Sequence, residues 1–128
     1  MKKYIGTKEV SATPAWRVNG VVYPKDGAAP RVMNREDGYK VVCEDGYESW
    51  SPKEAFEKAY KPADTFLDRM KIELDELGKK CQKLGDFIDG DKFKELTSEK
   101  RTLLLIQHDA MQNYYLMLGQ RISIEQEE

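Results

Sequence analysis

The sequence predicts an α+β fold: a small N-terminal antiparallel β-sheet, a short helix and a long C-terminal antiparallel helical hairpin. Three observations carry it. Leu67, Met70, Leu74, Leu77, Cys81, Leu84 and Ile88 alternate at spacings of three and four, the period of a helix seam that meets another helix. Asn19-Gly20 and Asp45-Gly46 sit between β-branched or aromatic flanks, the strongest short hairpin signals, because such turns want φ > 0. Ser51-Pro52-Lys53-Glu54 carries three agreeing helix-start signals: an N-cap serine, proline at the first helical position and an acid three residues after the cap.

In chain order, Tyr4 to Val10 reads as a first strand ending at the breaker-rich Ser11-Ala12-Thr13-Pro14. Trp16 to Tyr23 forms the first hairpin around Asn19-Gly20. Pro24 to Glu36, with two prolines, Gly27 and alternating charge, reads as a loop. Gly38 to Glu44 and Tyr47 to Trp50 form the second hairpin, with Asp45-Gly46 as a two-residue turn. The sheet region with its short helix at 51–60 spans residues 1–60, and Lys61-Pro62 ends that helix. The hairpin spans residues 64–124, with Asp64 or Thr65 as its first cap. Asp89-Gly90-Asp91 marks the exit from its first helix, Asp91 caps a turn or two, and Thr97 or Ser98 opens the last helix. There Leu104, Met111, Leu118 and Ile122 answer the first seam, with Gln107, Tyr114 and Arg121 on or beside the same stripe. Residues 125–128 form a fraying tail.

A chain of 128 residues, 40% hydrophobic, is long enough for a core. Two helices cover only one face each, which leaves Leu103, Leu105, Tyr115 and Leu116 without intrachain cover, so a homo-oligomer, a dimer or a trimer of dimers, is expected. The net charge of −2 argues against DNA or RNA binding, which needs a basic surplus. Cys43 and Cys81 stand far apart beside a single histidine, supporting neither a disulfide framework nor a metal site. No apolar run reaches a membrane span and no signal-peptide core follows Met1. A reducing, cytoplasmic setting is expected, with no cofactor.

No catalytic motif appears. His108 reads as a surface or seam residue, and the carboxylates are spread along helix faces as solvated charge. Between Phe87 and Arg101 an aromatic, turn residues, the hydroxyls of Thr97 and Ser98, and Lys100 and Arg101 meet at a helix N-terminus. One reading is capping plus solvated charge. The other is a phosphate held by free amides and Arg101, with Phe87 stacked on a base. Trp16 and Trp50 read as sheet-core residues, with ligand platforms as the alternative. Arg17 and Arg31 lie where a neighbouring subunit is within reach.

Three stretches resemble one known family: Tyr4-Ile5-Gly6-Thr7-Lys8, the block Asp45 to Tyr60, and Gln107-x-x-Ala110-Met111-x-x-Tyr114-x-x-x-Leu118-x-x-Arg121-Ile122. They are similar to the phage-encoded Thoeris anti-defence proteins, whose helical hairpin is shared with anti-CBASS sponges. The resemblance implies a non-enzymatic sponge in the host bacterial cytoplasm. It would bind cyclic ADP-ribose isomers made by TIR-domain sensors and hold them intact, with cyclic di- or trinucleotides as a second ligand class. It also implies a pocket between subunits, with Phe87 and Thr97 as its ligand-binding positions and a cation such as Arg101 or Arg121. Two alternatives stay open: an oligomeric helical module that inhibits a host protein, and a small nucleotide hydrolase.

Overall fold

The computed structural model describes residues 1–25 and 31–127. The chain divides into two compact units, Met1–Lys61 and Pro62–Glu128. The α+β class is as the sequence predicts.

The first unit is a four-stranded antiparallel sheet of β1 (Val10–Val18), β2 (Val21–Pro24), β3 (Glu36–Cys43) and β4 (Glu48–Pro52), ordered β2-β1-β3-β4, followed by the helix α1 (Lys53–Ala59). Asn19 and Gly20 both take positive φ, 49° and 81°, so β1 and β2 are joined by the two-residue turn expected of Asn-Gly. The second turn differs from expectation. Only Gly46 is left-handed (φ 88°), Gly46 N–H donates to the Cys43 carbonyl and Cys43 N–H to that of Tyr47, which makes a three-residue loop. The Asp45 carboxylate accepts from Tyr47 N–H at 3.0 Å, stabilising this alternative.

The first strand lies later than expected: Tyr4–Glu9 carries no strand, and the supposed breaker Ser11-Ala12-Thr13-Pro14 is inside β1. Pro14 is tolerated because its carbonyl, and hence its nitrogen, faces the side where β2 ends: Lys25 N–H donates to the Pro14 carbonyl, and no ladder donor toward β3 is lost. Of the expected loop, residues 26–30 lie outside the described residues, Pro24 and Glu36 belong to strands, and 31–35 are neither strand nor helix. The helix expected at 51–60 is trimmed to Lys53–Ala59. Ser51 stays in β4, and Pro52 holds the N-cap position without a side-chain bond. Against one sheet face, Tyr39 stacks on Phe56 (4.2 Å) and Phe56 on Tyr60 (4.9 Å), while Tyr39 Oη donates to Glu57 at 2.9 Å.

The second unit pairs α2 (Phe66–Ile88) with α4 (Ser98–Glu127) through a tip containing the single turn α3 (Asp91–Lys94). Thr65 opens α2 with a full capping box: Thr65 Oγ1 accepts from Asp68 N–H, and the Asp68 carboxylate accepts from Thr65 N–H. The seam buries Met70, Leu118 and Ile122, with Leu67 and Leu74 against them. On α4 the seam runs through Leu104, His108, Met111, Tyr115, Leu118 and Ile122. His108 and Tyr115, seven apart, lie over Gly85 and Gly78, also seven apart: an added Cβ would meet His108 Nε2 at 3.1 Å and Tyr115 Cε2 at 3.0 Å. Gln107, Tyr114 and Arg121 are exposed instead, Tyr114 Oη donating to Glu73 at 2.5 Å. That bond raises the Tyr114 pKa, because ionising the phenol would strip the carboxylate of its donor. α4 continues through Glu125 and Gln126 to Glu127, residue types that propagate a helix.

Candidate functional site: the hairpin tip

At the end of α2, Asp89 N–H donates to the Gly85 carbonyl and Gly90 N–H to that of Phe87, so the helix closes tightly and Phe87 sits on its last turn. Gly90, not Asp91, takes the N-cap position of α3, and Asp91 falls in its first turn. This turn carries Phe93 to Phe87, ring centroids 6.3 Å apart and nearly perpendicular at 89°. Phe87 keeps 37% of its surface exposed, much for an aromatic already held by a neighbour.

Two further turn bonds, Glu95 N–H to the Lys92 carbonyl and Leu96 N–H to that of Phe93, deliver the chain to α4. Thr97 caps it, its Oγ1 accepting from Lys100 N–H at 3.3 Å, while Arg101 N–H makes the first full helical bond to the Thr97 carbonyl. The amides of Ser98 and Glu99 then point out of the helix end, where the dipole favours an anion. Arg101 is half-buried, and its Nε is covered without a hydrogen-bond partner among the described residues. A guanidinium donor in that condition costs stability unless something completes it.

Phe87, Thr97, Ser98 and Arg101 thus all lie along the hairpin tip, between the last turn of α2 and the first turn of α4. Arg121 does not: it lies 24 residues beyond Thr97 on the same helix, about 36 Å away at 1.5 Å per residue. Arg17 and Arg31 belong to the other unit. Arg17 is held by Glu36 through two hydrogen bonds, 3.2 and 2.9 Å, and Arg31 is exposed. Phe93 was not singled out by the sequence, since an aromatic in a four-residue turn has no periodicity to betray it.

Between positions 86 and 101 the tip holds four cations, Lys92, Lys94, Lys100 and Arg101, against the five carboxylates Asp86, Asp89, Asp91, Glu95 and Glu99. One tip is thus not cationic by itself.

No helix of the described residues is long and apolar enough to cross a membrane. Comparison with curated proteins and with solved structures found no match. Residues 64–124 do match a family model, that of Sequestin, and they span nearly the whole helical unit. The likeness to the Sequestin family thus lies in the helical hairpin.

Proposed function

We propose that the protein is a sponge: it binds cyclic ADP-ribose isomers at the hairpin tip and holds them chemically unchanged, which would blind a Thoeris-type TIR signalling system. The observation that carries the reading is the coincidence, on a Sequestin-like hairpin, of an exposed aromatic, two outward amides and a guanidinium lacking a partner for its Nε. Phe87 supplies a stacking surface, the α4 N-terminus and Arg101 a place for the pyrophosphate. Tight holding at nanomolar level means about −12 kcal/mol, which charge-assisted bonds and stacking together can supply. Cyclic di- or trinucleotides, read by the same stacking and phosphate chemistry, form the second ligand class of this proposal.

The charge balance of one tip calls for a second copy. Leu103, Ile106, Ala110, Met117 and Ile124 follow a heptad stripe on the side of α4 away from its seam, and the four large ones are 55–62% exposed. Pairing this stripe antiparallel with the same stripe of a second copy, about a two-fold axis between Asn113 and Tyr114, sets Leu103 against Ile124 and Ala110 against Met117. It also sets Arg121 of the copy beside Ile106, about 8 Å along the axis from Arg101. The distant arginine thereby reaches the level of the tip, on the face of α4 opposite Arg101.

The test is to incubate the protein with the cyclic ADP-ribose product of a TIR enzyme, measure free ligand, then heat-denature the protein and measure again. Depletion followed by release of unchanged ligand is expected. No depletion removes the ligand class, and an altered product identifies a hydrolase. Phe87→Ala should weaken binding by about 1–3 kcal/mol with assembly intact, and light scattering should give at least a dimer. A second reading, docking of a host protein on the exposed Leu105 and Leu116 of α4, predicts a stoichiometric protein complex and no ligand depletion.

A further inference from the structure

The sheet unit holds a cleft of about 570 Å³ on one sheet face, lined among others by Thr13, Ala15, Val22, Pro24, Lys40 and Trp50. That volume lies within the range of small-molecule pockets. Strand register places Thr13 and Ala15 of β1, Val22 and Pro24 of β2, and Lys40 and Trp50 of the other two strands on this face, opposite the face where Tyr39 meets Phe56.

Trp50 is half-buried there in an unusual pose. Its indole lies across β3 at Gly38, where an added Cβ would stand 2.7 Å from Cζ2 and Cη2 of the ring and 2.3 Å from the Ser51 carbonyl oxygen. A glycine inside a strand weakens it, so the indole is accommodated at the expense of the sheet. The indole Nε1 is covered and has no acceptor among the described residues, although a tryptophan placed only for packing satisfies its N–H by turning it to a carbonyl or to water. On the ring sits the Arg17 guanidinium, its carbon 5.1 Å from the centroid, itself held by both carboxylate oxygens of Glu36. Three features that each cost stability or freedom thus converge on fixing one indole beside a cleft.

The cations of the rim are already neutralised, Arg17 by Glu36 and Lys40 by Glu48 at 3.4 Å. The cleft therefore suits a ring and does not suit a bare anion. We propose that it is a stacking site for an uncharged purine ring, recognised by Trp50, with Thr13 and the Lys40–Glu48 pair at the ring's edge. It shares no residue with the hairpin tip and stands or falls independently of the sponge reading.

The experiment uses the full chain carrying Trp16→Phe, so that Trp50 is the sole tryptophan, titrated with adenosine and with AMP. Expected is saturable quenching with a dissociation constant of the order of 1 mM, the level one stacking contact supports. AMP should lie within about twofold of adenosine and show little salt dependence, because no unpaired rim cation waits for the phosphate. Phe87→Ala in the same background must leave the quenching unchanged. As a measure needing no substitution in the sheet, the Trp50 indole N–H resonance of the unaltered protein should shift with adenosine while that of Trp16 stays in place. Absence of saturable quenching together with an unmoved Trp50 resonance overturns the proposal. So does AMP binding tenfold tighter than adenosine, which would mark a phosphate site, or quenching lost with Phe87→Ala, which would place the base at the hairpin.

Discussion

The two units of this chain reach stability by opposite means. The sheet unit joins its strands through ladder bonds, stacks Tyr39, Phe56 and Tyr60 on one another, and closes its charged pairs internally: Arg17 with Glu36, Lys40 with Glu48, and Lys25 with Asp37. Its buried hydrophobic residues are small, Ala15, Val18 and Val41. The helical unit buries one narrow seam and leaves Leu103, Ile106, Leu116 and Met117 more than half exposed. A helix apolar on several sides belongs in an interior, and one hairpin cannot provide it. The difference teaches what each unit leaves open: the sheet pairs its charges within itself, whereas the hairpin leaves large apolar side chains uncovered.

The sharpest way to break this comparison is to remove the centre of the hairpin seam. Leu118 is 1% exposed, the most deeply buried large side chain of the described residues. Leu118→Ala should cost about 3–5 kcal/mol and lower the thermal transition of the helical signal in circular dichroism. Near-ultraviolet tryptophan signals report the sheet, where both tryptophans lie, and should hold to a higher temperature. A single coincident transition in the variant would show the two units to be one cooperative body.

Next in size is Gly38→Ala. Its Cβ would press on the Ser51 backbone oxygen, which cannot swing aside as a side chain can. The expected cost is about 1–3 kcal/mol, read as a drop in the denaturation midpoint with the slope unchanged. The helical counterpart, Gly78→Ala, gains about 1 kcal/mol of helix propensity and meets only the tip of a Tyr115 ring that is 41% exposed and able to move. It should be close to neutral. Equal destabilisation by both would remove the distinction between the rigid sheet contact and the yielding helical one.

A smaller effect is expected from Thr65→Ala, which deletes one arm of the capping box at the start of α2 and leaves the Asp68 amide without its acceptor. About 1 kcal/mol is the usual loss. Hydrogen exchange should quicken at the first turn of α2 and not in α1, which has no side-chain cap to lose.

Much of this was legible in the sequence, for physical reasons. The alternation of three and four from Leu67 to Ile88 admits only a helix seam, and Asn19-Gly20 only a tight turn. The phase of α4 was harder. With apolar residues on several sides, the stripe through Gln107, Tyr114 and Arg121 competed with the true seam through His108 and Tyr115. The deciding signal was present, in Gly78 and Gly85 spaced like the large residues they accommodate, but it becomes visible only when the two helices are laid together. Pro14 misled because proline breaks a strand only where its missing N–H is wanted. At the tip, the sequence showed Phe87, Thr97, Ser98 and Arg101 as residues flanking one inter-helix connection. Arg121 was not excluded by sequence, since its separation follows from α4 being one unbroken rod.

The smallest predicted effect probes both units with the same chemistry. Tyr39 donates its phenolic proton to Glu57 and Tyr114 to Glu73, and in each case the hydrogen bond is the largest cause raising the tyrosine pKa above its ordinary value of 10.0. A raised folded-state pKa means that the folded protein binds more protons than the unfolded chain once pH passes that ordinary value. Stability is therefore fully present below pH 10 and declines as pH climbs from there through the folded-state values. The two pairs are not equal in consequence. Tyr39 is also stacked on Phe56 in the sheet unit, so losing its hydrogen bond leaves a ring still anchored by contact, whereas Tyr114 is 47% exposed and hydrogen-bonds a residue of the opposite helix. Ultraviolet titration of Tyr39→Phe and Tyr114→Phe should each remove one late-ionising phenol, and the fall in stability above pH 10 should be shallower in either variant than in the parent. A parent whose stability is flat from pH 9 to pH 11 would show that neither carboxylate holds its tyrosine in solution.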